Sequence, residues 1–197
     1  MEKQKTCFYL ARHGETQWNK IRRLQGRLDS SLTVAGKNQA TQIVESLSRA
    51  EIELIVSSPL GRAKSTAELC RSKISVELKI HDLLVERHFG DWQSSYFDDL
   101  SDKEHFEQVF FQVTEHAPPR GESGLECGSR IQQALSDIAQ SHSESKILVV
   151  THGDAIRCFM ATLAQDSHCD AYSQYGNGKI FPINYCHQFE RFTSVGS

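Results

Sequence analysis

Short apolar runs alternate with longer amphipathic stretches along this chain. The runs at residues 7–11, 52–56 and 147–151 consist mainly of aliphatic and aromatic side chains. A run of this length bounded by polar positions is typical of a buried strand. Each run is followed at once by a polar motif that contains serine, histidine or arginine. The pattern therefore predicts three buried strands, each of which ends in a polar loop.

Between these strands the apolar residues recur three and four positions apart, the spacing of an amphipathic helix. Thr33 can cap a first helix, and Ser58 followed by Pro59 predicts the cap and first residue of a second. Ser123 and Glu126 form a capping-box pattern before a third. Further helices are expected at 106–113 and after residue 152. The apolar positions that face the core in the first three helices are Ala40, Ile43, Val44, Leu47, Ala63, Thr66, Ala67, Cys70, Ile131, Ala134, Leu135 and Ile138.

Alternation of strands and helices predicts an α/β fold with three α/β/α layers, in which helices cover both faces of a mostly parallel sheet. Residues 179–190 predict one or two further strands, antiparallel at an edge of the sheet. No linker or charged tract divides the chain, so we expect a single domain over residues 1–197. Reactive groups should gather where the parallel strands end.

Composition narrows the classes of partner and compartment. The net charge of −3 gives no basic field for nucleic acid or an anionic membrane, so neither is an expected partner. The absence of a signal-like or membrane-spanning stretch predicts a cytoplasmic protein, and the six cysteines without a C-x-x-C pair predict reduced thiols. His168, Cys169 and Asp170 lack a second ligand cluster, so no metal is expected. An apolar edge near the C-terminus would permit a homodimer.

Four polar motifs carry the candidate chemistry: RHGET at 12–16, SPLGRA at 58–63, ER at 86–87 and THGD at 151–154. Arg12, Arg62 and His152 could hold the non-bridging oxygens of a phosphate, because arginine forks match phosphate geometry and stay charged. A cation such as Arg62 is unfavourable in the first turn of a helix, and an anionic ligand would resolve that conflict. The motifs together predict one phosphate pocket.

The chain resembles the histidine phosphatase superfamily, which includes the cofactor-dependent phosphoglycerate mutases, over about residues 8–157. The resemblance is carried by LARHGETQWN at 10–19, LDSSLTVAG at 28–36, SSPLGRAKSTA at 57–67, LVERHFGDW at 84–92, PPRGES at 118–123 and VTHGDAIR at 150–157. It implies that His13 attacks phosphorus and forms a phosphohistidine, without a cofactor. It also implies that Glu86 is the general acid and that Asn19 donates to a phosphate oxygen. Attack requires a neutral His13 ring, whose other nitrogen we expect a backbone carbonyl to hold.

The segment at 88–119 bears on the substrate. In phosphoglycerate mutases this region carries adjacent arginines that bind the substrate carboxylate, whereas here it offers only Lys103 among seven acidic residues. It is also rich in aromatic rings, which could stack on a flat substrate. Together with FGDW at 89–92 it resembles the α-ribazole 5′-phosphate phosphatases of cobalamin assembly. The alternatives are a broad-specificity phosphatase, a mutase-like enzyme, or a silent phosphate-binding regulator.

Overall fold

The computed structural model describes residues 5–164 and 174–194. Its centre is a six-stranded sheet with the order β3-β2-β4-β1-β5-β6. Strands β1 to β4 are mutually parallel, and β5 and β6 extend the sheet in antiparallel orientation. The strands are β1 (Lys5–Arg12), β2 (Leu54–Ser57), β3 (Glu77–Ile80), β4 (Lys146–Thr151), β5 (Ile180–Cys186) and β6 (Arg191–Ser194). The predicted sheet with an antiparallel edge is confirmed.

Helices cover both faces of the sheet. They are α1 (Gln17–Lys20), α2 (Val34–Ser46), α3 (Gly61–Ile74), α4 (Phe106–Phe110), α5 (Gly124–Ser141) and α6 (Gly153–Ala164). Helices α2 and α3 pack on one face, and α5 and α6 on the other. No helix in the described ranges is long and apolar enough to cross a membrane. The α/β class predicted from the alternation is therefore confirmed.

The central strand β4 shows why the sheet is covered on both sides. Ile147 and Val149 belong to the core beneath α5 and α6, whereas Leu148 and Val150 belong to the core beneath α2 and α3. Successive side chains of a strand point to opposite faces, so an uninterrupted apolar run needs an apolar layer on each face. All four side chains are fully buried.

Three local predictions differ from the structure. Helix α3 begins at Gly61 after Leu60, so Pro59 is not the first helical residue, and the Ser58 hydroxyl is committed to the site instead. The helix predicted at 106–113 ends at Phe110, and Phe111 follows it as the C-terminal cap. Strand β3 was not predicted, since an exposed edge strand does not need an apolar run.

The parallel register brings three motifs to one edge of the sheet. Arg12 pairs with Thr151, and Ser57 pairs with Val150, so the three strands end at nearly the same level. The next residues along the chain, His13, Ser58 and His152, therefore meet at the carboxyl ends of β1, β2 and β4.

Candidate active site

A cavity of about 420 Å³ opens at this edge of the sheet. The predicted site residues that line it are Arg12, His13, Asn19, Arg62 and Glu86. His152 is fully buried beside it, with its ring centroid 5.2 Å from that of His13. Tertiary structure thus assembles all six predicted residues. Within the described residues there is no group of three His, Cys, Asp or Glu side chains that could hold a metal, and 168–170 lies outside those residues.

The His13 ring is neutral and oriented. Its Nδ1 lies 2.7 Å from the carbonyl oxygen of Gly14, which can only accept, so Nδ1 carries the hydrogen. The other nitrogen, Nε2, accepts a hydrogen bond from Arg62 Nε at 3.1 Å. Burial, followed by the positive charges of Arg62 and Arg12, holds the pKa of His13 well below its ordinary value. The predicted carbonyl is present, and the lone pair of Nε2 faces a cation that a phosphate could replace.

Arg62 is fixed before any ligand binds. Its backbone N–H donates to Asp29 Oδ2 at 3.2 Å, and its Nη1 donates to Asp29 Oδ1 at 3.1 Å. The carbonyls of Leu28 and Gly26 accept from Nη1 and Nη2 at 2.6 and 2.7 Å. The conflict between a cation and a helix N-terminus is therefore relieved within the protein by Asp29, a residue that sequence reasoning missed.

Ser58 determines which nitrogen of His152 can serve the site. Its hydroxyl oxygen accepts from the Leu60 N–H at 3.3 Å and lies 2.8 Å from His152 Nε2. When the hydroxyl donates to Nε2, the hydrogen of the neutral ring lies on Nδ1. That Nδ1 is buried and has no partner among the described residues. Burial, followed by the charge of Arg62, holds the pKa of His152 well below its ordinary value, so a neutral Nδ1–H is the donor available to an anion.

The surroundings of Glu86 shift its pKa in the direction that a general acid needs. Burial, and then the negative charge of Asp154, raise its pKa. The Glu86 Oε1 accepts from the backbone N–H groups of Arg87 and Ala155, both at 2.9 Å. The Glu86 Oε2 takes only a long contact of 3.4 Å from the Asp154 N–H, so it is the oxygen left to carry the proton. The predicted cause was an adjacent phosphate, but burial acts before any ligand arrives.

Asp154 stays ionised beside Glu86. Although burial opposes ionisation, Arg157 and Arg87 keep the pKa of Asp154 below its usual range. Its Oδ1 accepts from Arg157 Nε at 2.6 Å and its Oδ2 from Arg87 Nη1 at 3.3 Å. Asp154 therefore supplies a permanent negative charge that favours the protonated form of Glu86.

The segment before β5 contributes residues that sequence reasoning did not find. Asn177 lines the cavity and donates from Nδ2 to the carbonyl of His13 at 3.0 Å. Arg12 Nη1 donates to the carbonyl of Tyr175 at 2.6 Å. The Asn19 Oδ1 accepts from the backbone and hydroxyl of Thr16, so its amide nitrogen is the group left to serve a phosphate oxygen. Residues 175–177 belong to no recognised motif. They reach the site because they precede strand β5, which pairs with β1.

A pair of adjacent arginines lines the cavity from outside the segment at 88–119. That segment contains no arginine, whereas Arg22 and Arg23 line the cavity from the loop after α1. The acidic segment is partly neutralised by that loop, since Arg22 forms an ion pair with Asp98 at 2.9 Å. A substrate with a carboxylate would therefore meet the positive side chains of Arg22 and Arg23 at the cavity.

The aromatic rings of the same segment divide into two groups. Trp92, Phe110 and Phe89 are buried in a small core of their own, so most rings of the segment have a packing role. Phe89 also reaches the cavity, together with Phe97 and Phe111. The cavity therefore joins an apolar wall to a cationic floor.

The whole cavity lies within a region that matches a known protein family. The family model of the histidine phosphatase superfamily (branch 1) matches residues 8–195. The chain belongs to this superfamily. The resemblance inferred from the motifs is thereby confirmed, and the matched region covers every site residue described above.

The relatives of this chain within the superfamily carry different names. It is 37% identical over 180 residues to "Probable phosphoglycerate mutase GpmB" of Enterobacter sp., covering 90% of this chain and 84% of that protein. It superimposes on Bacillus stearothermophilus YhfR with a TM-score of 0.86 and 31% identity, covering 96% and 95% of the two chains.

Two further solved structures bear on the substrate. A mycobacterial glucosyl-3-phosphoglycerate phosphatase complexed with VO3 superimposes with a TM-score of 0.84 and 26% identity, covering 97% of this chain and 98% of that one. A protein of Escherichia coli described as a "putative alpha-ribazole-5'-P phosphatase" gives a TM-score of 0.75 and 26% identity, covering 98% and 96%. The fold is shared, whereas the named substrates differ.

Proposed function

We propose that this chain hydrolyses small phosphomonoesters through a phosphohistidine formed on His13. The observation that carries the proposal is the state of the His13 ring, which is neutral, oriented by the Gly14 carbonyl and surrounded by arginines. A neutral Nε2 is a nucleophile, while an imidazolium is not. A merely phosphate-binding regulator would not need a buried Glu86 with a raised pKa in the same cavity.

The chemical steps follow from the positions of the donors. His13 Nε2 attacks phosphorus, the bond from phosphorus to the ester oxygen breaks, and Glu86 Oε2 gives its proton to that oxygen. The Glu86 carboxylate then takes a proton from water, whose oxygen attacks the phosphohistidine. Phosphate leaves, His13 is restored, and Glu86 is protonated again.

Cationic and neutral donors of the chain stabilise the transferred phosphoryl group. Arg12 and Arg62 supply fixed positive charge, and the Nδ1–H of His152 and the Asn19 amide supply further hydrogen bonds. Phosphoryl transfer requires mainly positioning and charge neutralisation, which these side chains provide. We therefore propose that the reaction needs no metal ion.

Trapping of the intermediate tests the mechanism. Purified protein is mixed briefly with nitrophenyl phosphate, quenched and digested, and peptide mass spectrometry should find an acid-labile phosphate on His13. His13→Ala should lose the label and nearly all turnover, while His116→Ala, which changes an exposed histidine, should retain both. Full turnover by His13→Ala, or a label on another residue, would contradict the mechanism.

The specific substrate predicted from the sequence is α-ribazole 5′-phosphate, which would place the enzyme in cobalamin assembly. Its support is the apolar wall of Phe89, Phe97 and Phe111, on which a flat base could pack, and the likeness to the Escherichia coli protein. Arg22 and Arg23 also line the cavity, so the acidic segment does not by itself favour this substrate over one that carries a carboxylate.

A second candidate is a phosphorylated organic acid, as substrate of a phosphatase or of a mutase. The arginine pair favours it, and so does the name of the Enterobacter relative. Values of kcat/KM for α-ribazole 5′-phosphate and 3-phosphoglycerate compare the two candidates, because the ratio reports differential binding of the transition state. Release of inorganic phosphate against formation of 2-phosphoglycerate then separates hydrolysis from mutase activity.

A further inference from the structure

Two adjacent arginines at the cavity have no part in the mechanism derived above. Arg22 and Arg23 follow α1 and line the cavity together with Arg12 and Arg62. Arg62 pairs with Asp29 and Arg22 pairs with Asp98, so these two charges are already partly balanced within the protein. A single phosphate monoester, held at His13 by Arg12 and Arg62, does not account for the second pair.

Arg23 is held in place without an ion pair. Its Nε donates to the carbonyl oxygen of Ser94 at 2.6 Å, and its guanidinium lies 4.2 Å from the centroid of the Trp18 ring. Residue 23 also forms a bridge with Tyr96, which joins this loop to the ring-rich segment. Its two terminal nitrogens make no hydrogen bond to any side chain or carbonyl in the described ranges, and no carboxylate there lies within ion-pair distance. A fixed, half-buried guanidinium with its fork unused is suited to a planar oxyanion.

Arg22 differs from Arg23 in exposure and in charge balance. Its side chain is 64% exposed, pairs with Asp98 and lies over the Phe97 ring at 5.5 Å. An exposed pair of this kind contributes little energy and leaves the arginine able to reorient. Arg22 can therefore add to the positive field at the rim, while Arg23 provides the fixed contact.

We propose that Arg23, assisted by Arg22, binds a second anionic group that the substrate carries on its leaving group, either a carboxylate or a second phosphate. This inference rests on the proposed phosphohydrolase activity and names the class of its substrate. The phosphoryl group reacts at His13, and the second anion anchors the leaving group toward the loop after α1. The rings of Phe97 and Phe111 contact the carbon skeleton between them. The substrate class is then small phosphorylated acids or bisphosphates.

Matched substrates separate this role from general catalysis. Glycerol 3-phosphate and 3-phosphoglycerate share a three-carbon alkyl leaving group and differ by the carboxylate, while 1,3-propanediol bisphosphate supplies a second phosphate instead. Nitrophenyl phosphate reports whether the catalytic centre works at all. The wild-type enzyme should have a higher kcat/KM for one or both of the doubly anionic substrates than for glycerol 3-phosphate. The substrate with the larger preference identifies the anion.

Arg23→Gln should lower kcat/KM for the preferred doubly anionic substrate by about 10- to 100-fold, the loss of a charge-assisted hydrogen bond, with at most a small change for glycerol 3-phosphate. Arg22→Gln should act in the same direction and less strongly. Lys20→Gln removes the same charge from an exposed position of α1 that does not line the cavity, and it should leave the substrate ratio unchanged.

The remaining outcomes are decisive as well. Arg23 also packs on Trp18, so its replacement could act through the structure. A thermal melt of each variant detects such an effect, and Arg23→Lys tests the fork, because it keeps the charge and loses the planar guanidinium. Equal losses on all substrates in Arg23→Gln and Arg22→Gln, or no preference of the wild-type enzyme for a second anion, would overturn the subsite. No turnover of nitrophenyl phosphate by the wild-type enzyme would instead refute the proposed function.

Discussion

Replacement of Glu86 by glutamine is the most direct test of the general acid. The amide oxygen of glutamine can keep the two hydrogen bonds that Glu86 Oε1 accepts from the backbone of Arg87 and Ala155. The amide nitrogen takes the place of Oε2, where the contact from Asp154 is long at 3.4 Å. Because burial already favours the neutral carboxylic acid, a neutral amide of the same shape should change the free energy of unfolding by about 1 kcal/mol or less.

The kinetic effect depends on the leaving group. An alkoxide needs a proton as its bond to phosphorus breaks, whereas nitrophenolate is a weak base and needs little assistance. General acid catalysis contributes about 10²- to 10⁴-fold, which corresponds to about 2.7–5.5 kcal/mol in the activation barrier. Glu86→Gln should therefore slow an alkyl phosphate by that factor and slow nitrophenyl phosphate by much less.

The assay measures kcat/KM for both esters across a range of pH. In the wild-type enzyme, activity on the alkyl ester should fall on the alkaline side as Glu86 loses its proton, and its raised pKa places this fall above the ordinary range of a glutamic acid. Glu86→Gln should abolish that alkaline limb. Equal losses on the two esters, or an unchanged alkaline limb, would show that Glu86 positions other groups and does not donate a proton.

Four further outcomes are expected. EDTA should leave turnover unchanged, and a loss that magnesium restores would contradict the metal-free mechanism. The unfolded chain binds protons on His13 and His152 below pH 6.5 while the folded chain does not, so stability should fall by about 1.4 kcal/mol per histidine at pH 5.5, as urea unfolding at pH 5.5 and 7.5 would measure. Asp29→Asn should weaken the hold on Arg62 and raise KM for nitrophenyl phosphate, with unchanged KM as the contrary result. Ser58→Ala should free the tautomer of His152 and lower kcat several-fold, and an unaltered kcat would refute the role of the hydroxyl.

Local patterns account for most of the fold. The apolar run of β4 predicts a strand covered on both faces, and Ser123 with Glu126 forms the predicted capping box at the start of α5. These features depend on residues within a few positions of one another, so the local sequence is enough to predict them. Helix α3 starts later than the local pattern predicts. Ser58 is a good cap in isolation, but its hydroxyl forms a hydrogen bond with His152, which follows a distant strand.

The motifs point to the candidate catalytic residues but not to their chemical states. The sequence predicts that His13 and Glu86 share a pocket. Only the structure shows that burial and the charges of Arg62 and Arg12 lower the pKa of His13, and that burial and the charge of Asp154 raise the pKa of Glu86. Proton affinity depends on desolvation and on charges brought together in space, and spacing along the chain records neither.

The sequence by itself determined the fold class, the family and the candidate reactive groups, because each is encoded in local periodicity or in a short motif. Tertiary structure alone decided which distant residues complete the site. Asn177 reaches His13 through the return of β5, and Arg22 and Arg23 reach the cavity from the loop after α1. The lining of the cavity depends on such contacts, which form only when the chain folds. Neighbouring residues in the sequence do not require them, so they leave no local sequence pattern.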